Sequence, residues 1–264
     1  MSKLVTLGDI RIRYSTYGEG HPIVLLHGYL EALESWHDFA TALSDQYMVI
    51  TVDLPGHAES TNRLPINTMD DMADGIYSVL RHLKIEKSVV VGHSMGGYAT
   101  LAYAEKFPDK LAGFCLFHSS PLADNEEKLA ARDREIQLVR EGRKNLLYNT
   151  NIPKMFANDN LERLKDKVNS AKQIAAKTTE DGIISALEGM KLRPDRTNVL
   201  ESDIPKLFIL GKKDNYINYN TMYDVLSNHK NGEIVTLENS GHMGFIEEKE
   251  KSLQVIKDFA AKAF

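Results

Sequence analysis

The chain has 264 residues, of which 42% are hydrophobic and 26% charged, with a net charge of −5 and one cysteine. This balance allows a sizeable core, argues against intrinsic disorder and lacks the basic excess of a nucleic-acid binder. A lone Cys115 excludes an intrachain disulfide, and no cysteine–histidine cluster has zinc-ligand spacing.

In chain order, the N-terminal "MSKLVTLGDIRIRY" is not apolar enough for a signal peptide, and no run of about 18 uncharged apolar residues follows. The expectation is a cytoplasmic protein without a membrane partner. "KLVTL" and "IRIRYSTYG" alternate apolar and polar residues, as a half-buried antiparallel pair does. "PIVLLHG", "YMVITVDLPG" and "SVVVGHS" are continuous Val/Ile/Leu runs, which suit strands buried on both faces of a parallel sheet. Between the last two, Met69, Met72, Ile76, Val79, Leu80 and Leu83 recur at helical spacing behind Thr68, an N-cap residue. "LAGFCLF", where Cys115 reads as a small buried hydrophobe, "KLFILG" and "EIVTLE" continue the strands. Leu253, Ile256, Phe259 and Ala260 mark a closing amphipathic helix.

Residues 122–203 break this rhythm. They contain no strand pattern but three helical ones: Leu129, Ile136 and Val139; Leu161, Leu164, Val168, Ala171 and Ala175; and Ile183, Ile184, Leu187 and Met190. A helical insertion between parallel strands lies over the sheet's carboxyl edge, where such folds bind ligands. The expected organisation is a core of 1–121 and 204–264, with 122–203 as a cap.

Gly92-His93-Ser94-Met95-Gly96 follows a predicted buried strand and precedes a predicted helix. Glycines two before and two after the serine relieve crowding in a strained strand-to-helix turn, and Gly97 lets the helix pack close to the sheet. The turn aims the new helix's N-terminal amides at the serine oxygen.

With "LLHGY", "DLPGHAES", "GHSMGG", "GKKD" and "SGHMGF" in this order, and a helical insertion after "LFHSS", the chain resembles the capped, cofactor-free serine hydrolases of the α/β-hydrolase fold. The resemblance spans nearly the whole length. It implies a mostly parallel eight-stranded sheet flanked by helices, with a helical cap inserted after strand 6. It also implies no cofactor and no metal.

Ser94 is then the nucleophile, and needs a base and a group to orient that base. His242 in "ENSGHMGF" occupies the family's base position, last in the order Ser…Asp…His. Asp214, at the end of "LFILGKKD", occupies the acid position; Asp203 lies at the wrong end of its strand, and Glu238 is a distant alternative. His93 reads as structural, His229 as a surface residue, and His57 and His118 as residues of strand-end loops outside the base position. The backbone amides of Met95 and Tyr29 are the expected oxyanion donors. His27, Gly28 and Asp53 read as loop architecture.

Leu30, Met155, Phe156, Met190, Met243 and Phe245 join Tyr29 and Met95 as largely apolar pocket candidates. No arginine adjoins the motifs as a carboxylate clamp, although the cap supplies several with the reach. The expected substrate is a small or medium-sized carboxylic ester of modest polarity, cleaved through an acyl-enzyme by a monomer or homodimer. Carbon–carbon, lactone, thioester or amide hydrolysis remains open on this reading, as does a ligand-binding or signalling module with an intact triad. Ser94 argues against epoxide hydrolase and haloalkane dehalogenase chemistry, which use aspartate at this turn.

Overall fold

The computed structural model describes residues 2–7, 10–61, 65–227 and 229–264. Eight strands form one sheet: β1 (Lys3–Leu7), β2 (Ile10–Tyr17), β3 (Pro22–Leu26), β4 (Met48–Val52), β5 (Ser88–His93), β6 (Leu111–Phe117), β7 (Lys206–Gly211) and β8 (Gly232–Leu237). Their spatial order is β1-β2-β4-β3-β5-β6-β7-β8. β2 pairs antiparallel with both β1 and β4, and every other pairing is parallel. The continuous apolar runs read as central strands are buried as expected: every residue of β5 and β7 is buried.

From β3 the chain crosses to β4 on one side, and from β5 it crosses to β6 on the other. The loops after the adjacent β3 and β5 therefore diverge and leave a crevice at the carboxyl ends, the usual ligand position in open α/β sheets. Tyr29 lies in the first of these loops and Ser94 at the start of the second.

Helices α1 (His37–Leu43), α2 (Met69–His82), α3 (Met95–Lys106), α8 (Tyr219–Leu226), α9 (Gly244–Glu247) and α10 (Lys249–Ala263) belong to the sheet-bearing part. Thr68 caps α2 as expected. Its side chain accepts from the Asp71 amide at 3.1 Å while Asp71 Oδ2 accepts from the Thr68 amide at 3.1 Å, a reciprocal box that satisfies two otherwise orphan donors. Ile76, Val79 and Leu80 bury α2's apolar face against the sheet.

Four helices connect β6 to β7: α4 (Glu126–Arg140), α5 (Lys144–Met155), α6 (Lys165–Ala175) and α7 (Glu180–Lys191). Three follow the expected apolar spacing, but the one expected from Leu161 begins at Lys165, after a short 3-10 turn at Asn158–Asn160. α5 was not legible: its buried Leu147, Ile152 and Met155 do not keep a helical stripe, and Pro153 sits in its last turn. Among the described residues, no helix is long and apolar enough to cross a membrane.

Candidate active site

Ser94 sits at the junction of β5 and α3 with φ 50° and ψ −114°, a left-handed backbone unusual for a side-chain-bearing residue and costing of the order of 1–3 kcal/mol. The cost is held by local bonds: the Ser94 amide donates to Phe117 O at 3.0 Å, and Ser94 O accepts from Ser119 Oγ at 2.7 Å. The flanking glycines are required by space. A Cβ on Gly92 would lie 2.3 Å from Gly96 O, and one on Gly96 would lie 2.6 Å from Leu26 O.

His242 lies in the loop after β8 and Asp214 in the loop after β7. The imidazole Nδ1 donates to Asp214 Oδ2 at 2.7 Å, which fixes the tautomer and leaves Nε2 as the acceptor. Asp214 is oriented in turn: its Oδ1 accepts the Tyr216 and Ile217 amides at 2.7 and 3.0 Å. Burial would push its carboxyl up, but His242, His118 and the Ile217 amide outweigh that and hold it below the ordinary value. The carboxylate therefore stays ionised to orient and stabilise a charged imidazole.

Ser94, His242, Tyr29, Leu30, Met155 and Met190 line one cleft of about 160 Å³. The cleft also takes Tyr98, Tyr216, Ile217 and, from the inner side of α4 and α5, Lys128, Ala131, Arg132, Glu135 and Asn151. Drug-sized ligand pockets run about 300–1,000 Å³, so this one suits a small substrate. The backbone amides of Tyr29 and Met95 have no hydrogen-bond partner among the described residues, and stay available to an oxyanion.

Four pocket candidates lie elsewhere, the first being the Met95 side chain, which is buried in the core at the start of α3. Phe156 is fully buried, as packing at the end of α5. Met243 and Phe245 face a second cavity, of about 240 Å³, between α1, α6 and α9. The Phe245 ring lies tilted against Trp36, with centroids 4.1 Å apart, and edge-on to the His93 ring at 5.1 Å, so it supports the elbow from behind. The near-sequence position of both residues to His242 suggested the pocket, but the turn into α9 carries them to its other side.

The histidines packed around the site, His27, His118 and His93, are buried supports. His27 Nδ1 donates to Gly28 O at 2.8 Å and its Nε2 accepts the Leu54 amide at 3.0 Å, joining the loops after β3 and β4. Asp53 accepts the Leu33 amide at 2.8 Å and pairs with Arg13, a purely structural arrangement. His118 Nε2 accepts the Gly244 amide at 3.1 Å, which turns its Nδ1–H toward Asp214 Oδ2, 3.5 Å away. His93 Nε2 donates to His242 O at 2.7 Å, and its Nδ1 lies 2.8 Å from Glu31 Oε1. His229 pairs with Glu201 on the surface at 2.9 Å.

Two carboxylates escaped the sequence reading. Glu31 is buried beneath the elbow beside His93. A Cβ on Gly28 would lie 2.7 Å from Glu31 Oε1 and 2.9 Å from His93 Nδ1, so the glycine makes room for this pair. Glu247 gathers four donors: Oε1 takes the Ala157 amide and Asn160 Nδ2, and Oε2 takes the Gly241 and Met243 amides, at 2.7–3.2 Å. It clamps the His242 loop to the end of α5, where Met155 O also accepts the His242 amide at 2.6 Å. Tyr216 is a third omission; its ring lies 5.2 Å from that of His242 and closes one side of the cleft. Among the described residues, no group of histidine, cysteine and carboxylate side chains could hold a metal ion.

Known proteins resemble this chain in sequence and fold. A thermophilic esterase from Thermogutta terrifontis, solved with malate bound, is 27% identical and superposes with a TM-score of 0.93, covering 100% of this chain and 99% of that one. The (E)-2-((N-methylformamido)methylene)succinate hydrolase of Acinetobacter baylyi is 24% identical over 265 residues, 97% of each protein. The dihydrolipoyllysine-residue acetyltransferase component of the acetoin cleaving system of Pseudomonas putida is 29% identical over 92% of this chain. The chain spans 64% of that protein's length. The family profile described as alpha/beta hydrolase fold matches residues 21–249, and the chain belongs to that family.

Proposed function

We propose that the protein hydrolyses small to medium-sized carboxylic esters through an acyl-enzyme on Ser94. The observation that carries this reading is the shared cleft: Ser94 at a strained elbow, and His242 with Nδ1 spent on Asp214 and Nε2 left as base. Ser94 Oγ attacks the ester carbonyl carbon while its proton passes to His242 Nε2. The carbonyl oxygen becomes an oxyanion held by the Tyr29 and Met95 amides. As the tetrahedral intermediate collapses, the ester C–O bond breaks and the imidazolium returns the proton to the leaving alkoxide. Water then attacks the acyl-enzyme, giving its proton to His242, and the acid leaves as Ser94 recovers its proton. Asp214 keeps the imidazole in one tautomer and offsets its transient charge throughout.

The helices between β6 and β7 act as a cap that excludes bulk water and shapes the acyl site. No cofactor takes part in this reading.

The test is turnover of p-nitrophenyl acetate and butyrate by the wild type beside Ser94→Ala and His242→Ala. Turnover abolished in both variants is the expected result. Unchanged turnover in Ser94→Ala overturns the reading.

A further inference from the structure

The inner side of α4 presents Lys128 and Arg132, one turn apart, to the cleft that holds Ser94 and His242. Arg132 is 15% exposed and has two of its nitrogens bound to Asp124: Nε at 2.5 Å and Nη2 at 3.3 Å. Its Nη1 has no hydrogen-bond partner among the described residues, and neither does the Lys128 ammonium. Asp124 is shared: it also takes Arg193 Nη2 at 2.8 Å. Arg193 Nη1 donates to Met190 O and its Nη2 also reaches Leu122 O, both at 3.0 Å, while its Nε has no hydrogen-bond partner among the described residues and its guanidinium stacks on the Tyr98 ring. Glu135, one turn further along α4, is held by Asn151 at 2.7 Å. Lys128, Arg132 and Arg193 thus face Asp124 and Glu135, which leaves one positive charge in excess at this wall.

An exposed lysine or arginine needs no partner, but two with free donors inside a small cleft create a site for an oxygen anion. A half-buried guanidinium fixed by a carboxylate on one edge presents its free edge without losing side-chain entropy on binding.

We propose that Lys128 and Arg132 form a carboxylate clamp, and that the natural substrates are esters or lactones carrying a free carboxylate on the acyl side. This deepens the hydrolase reading above, on which it rests. The ester carbonyl sits at Ser94 and the carboxylate reaches the α4 wall, away from Glu135. The clamp contacts the substrate in ground and transition state alike, so it acts on KM more than on kcat.

The test compares half-esters with neutral esters of equal chain length: monomethyl glutarate against methyl pentanoate, and monomethyl adipate against methyl hexanoate, followed by acid release. The expected result is a kcat/KM at least about tenfold higher for one half-ester, the scale of one charge-assisted hydrogen bond. That ratio should fall about tenfold in Lys128→Gln and in Arg132→Gln, chiefly through KM, and should shrink as salt is raised. Lys128→Gln is the decisive variant, because its ammonium supports no protein contact, whereas Arg132→Gln also strips a partner from Asp124. Equal or better turnover of both neutral esters by the wild type overturns the clamp, as does a ratio unmoved by either variant.

Calorimetry with glutarate and adipate separates the two readings. If neither ester class is turned over in a Ser94-dependent way, the esterase reading falls. Saturable dicarboxylate binding that weakens in Lys128→Gln would then still support the clamp, and no saturable binding would overturn it.

Discussion

His93 Nε2 donates to the backbone carbonyl oxygen of His242 across 2.7 Å, so the residue before the candidate nucleophile holds the loop of the candidate base. The carbonyl takes only an N–H, and the other ring nitrogen faces Glu31 Oε1 at 2.8 Å, close enough for an ion pair though off the line of a good hydrogen bond. Burial alone would lower the His93 pKa, but Glu31 and the His242 carbonyl outweigh it and raise it. For Glu31 burial works upward, and His93 outweighs it to hold the carboxyl below its ordinary value. Both groups therefore carry charge in a site that excludes water.

Removing one partner of such a pair is expensive. Glu31→Gln should destabilise the protein by about 3 kcal/mol, the low end for breaking a buried pair, because the imidazole can shed its proton. The pH dependence has a definite sign. A raised His93 stabilises fully below its unfolded value of 6.5 and loses that contribution as pH rises through its folded value. The gap between wild type and Glu31→Gln, read by urea unfolding at pH 6, 8 and 9.5, should therefore narrow upward. A gap that widens with pH removes the charged-pair account.

Asp214→Asn should lower kcat by about 10⁴-fold with little change in KM, since an amide donor facing Nδ1 favours the tautomer whose Nε2 carries the proton. Steady-state kinetics on p-nitrophenyl butyrate reads this directly. A loss below about tenfold would mean that Asp214 does not set the tautomer.

How much of this was legible depends on the range of the contact. The elbow was readable because its requirement is local: two glycines and a serine within five positions answer one backbone strain. The strand series was readable because buried parallel strands leave unbroken apolar runs. The order Ser94, Asp214, His242 came from loops at fixed places in that series. Glu31, Glu247 and Arg132 left no such trace. Each is an ordinary charged residue in its own segment, and only folding brings Glu247 to the Ala157 amide, 90 positions away. Arg132 sits on a helix whose apolar stripe gave its existence but not which polar side faces Ser94. Met243 and Phe245 misled in the opposite way, because adjacency to His242 in sequence did not survive the turn into α9.

Gly96→Ala tests the steric part of the elbow. Its Cβ would press 2.6 Å from Leu26 O and 2.7 Å from His27 O, both backbone atoms with no rotamer to change. The expected cost is about 1–3 kcal/mol in urea unfolding, with kcat falling alongside as Ser94 shifts. Wild-type stability in this variant would show that the turn has slack.

Acid stability should turn on two buried histidines that the reaction does not use. Burial pushes His57 down to about 3, and His27 adds to it; its Nδ1 donates to Pro55 O while its Nε2 has no hydrogen-bond partner among the described residues. Burial likewise holds His118 well below 6.5 despite Asp214 beside it. Between pH 6.5 and these low values the unfolded chain takes protons that the folded one refuses, so stability falls as pH falls. Each fully developed site costs about 1.4 kcal/mol per pH unit. Asp53, Glu135 and Glu247, whose carboxyls burial raises, pull the other way just above the ordinary carboxylate range. The raw pH profile mixes these contributions, but the difference between wild type and His57→Gln isolates one. That difference should move in the variant's favour by about 1.4 kcal/mol per unit as pH drops from 6 to 4.5, read from urea midpoints. Parallel profiles would mean that His57 takes its proton in the folded state, and with it that the contact between the loops after β3 and β4 opens to water.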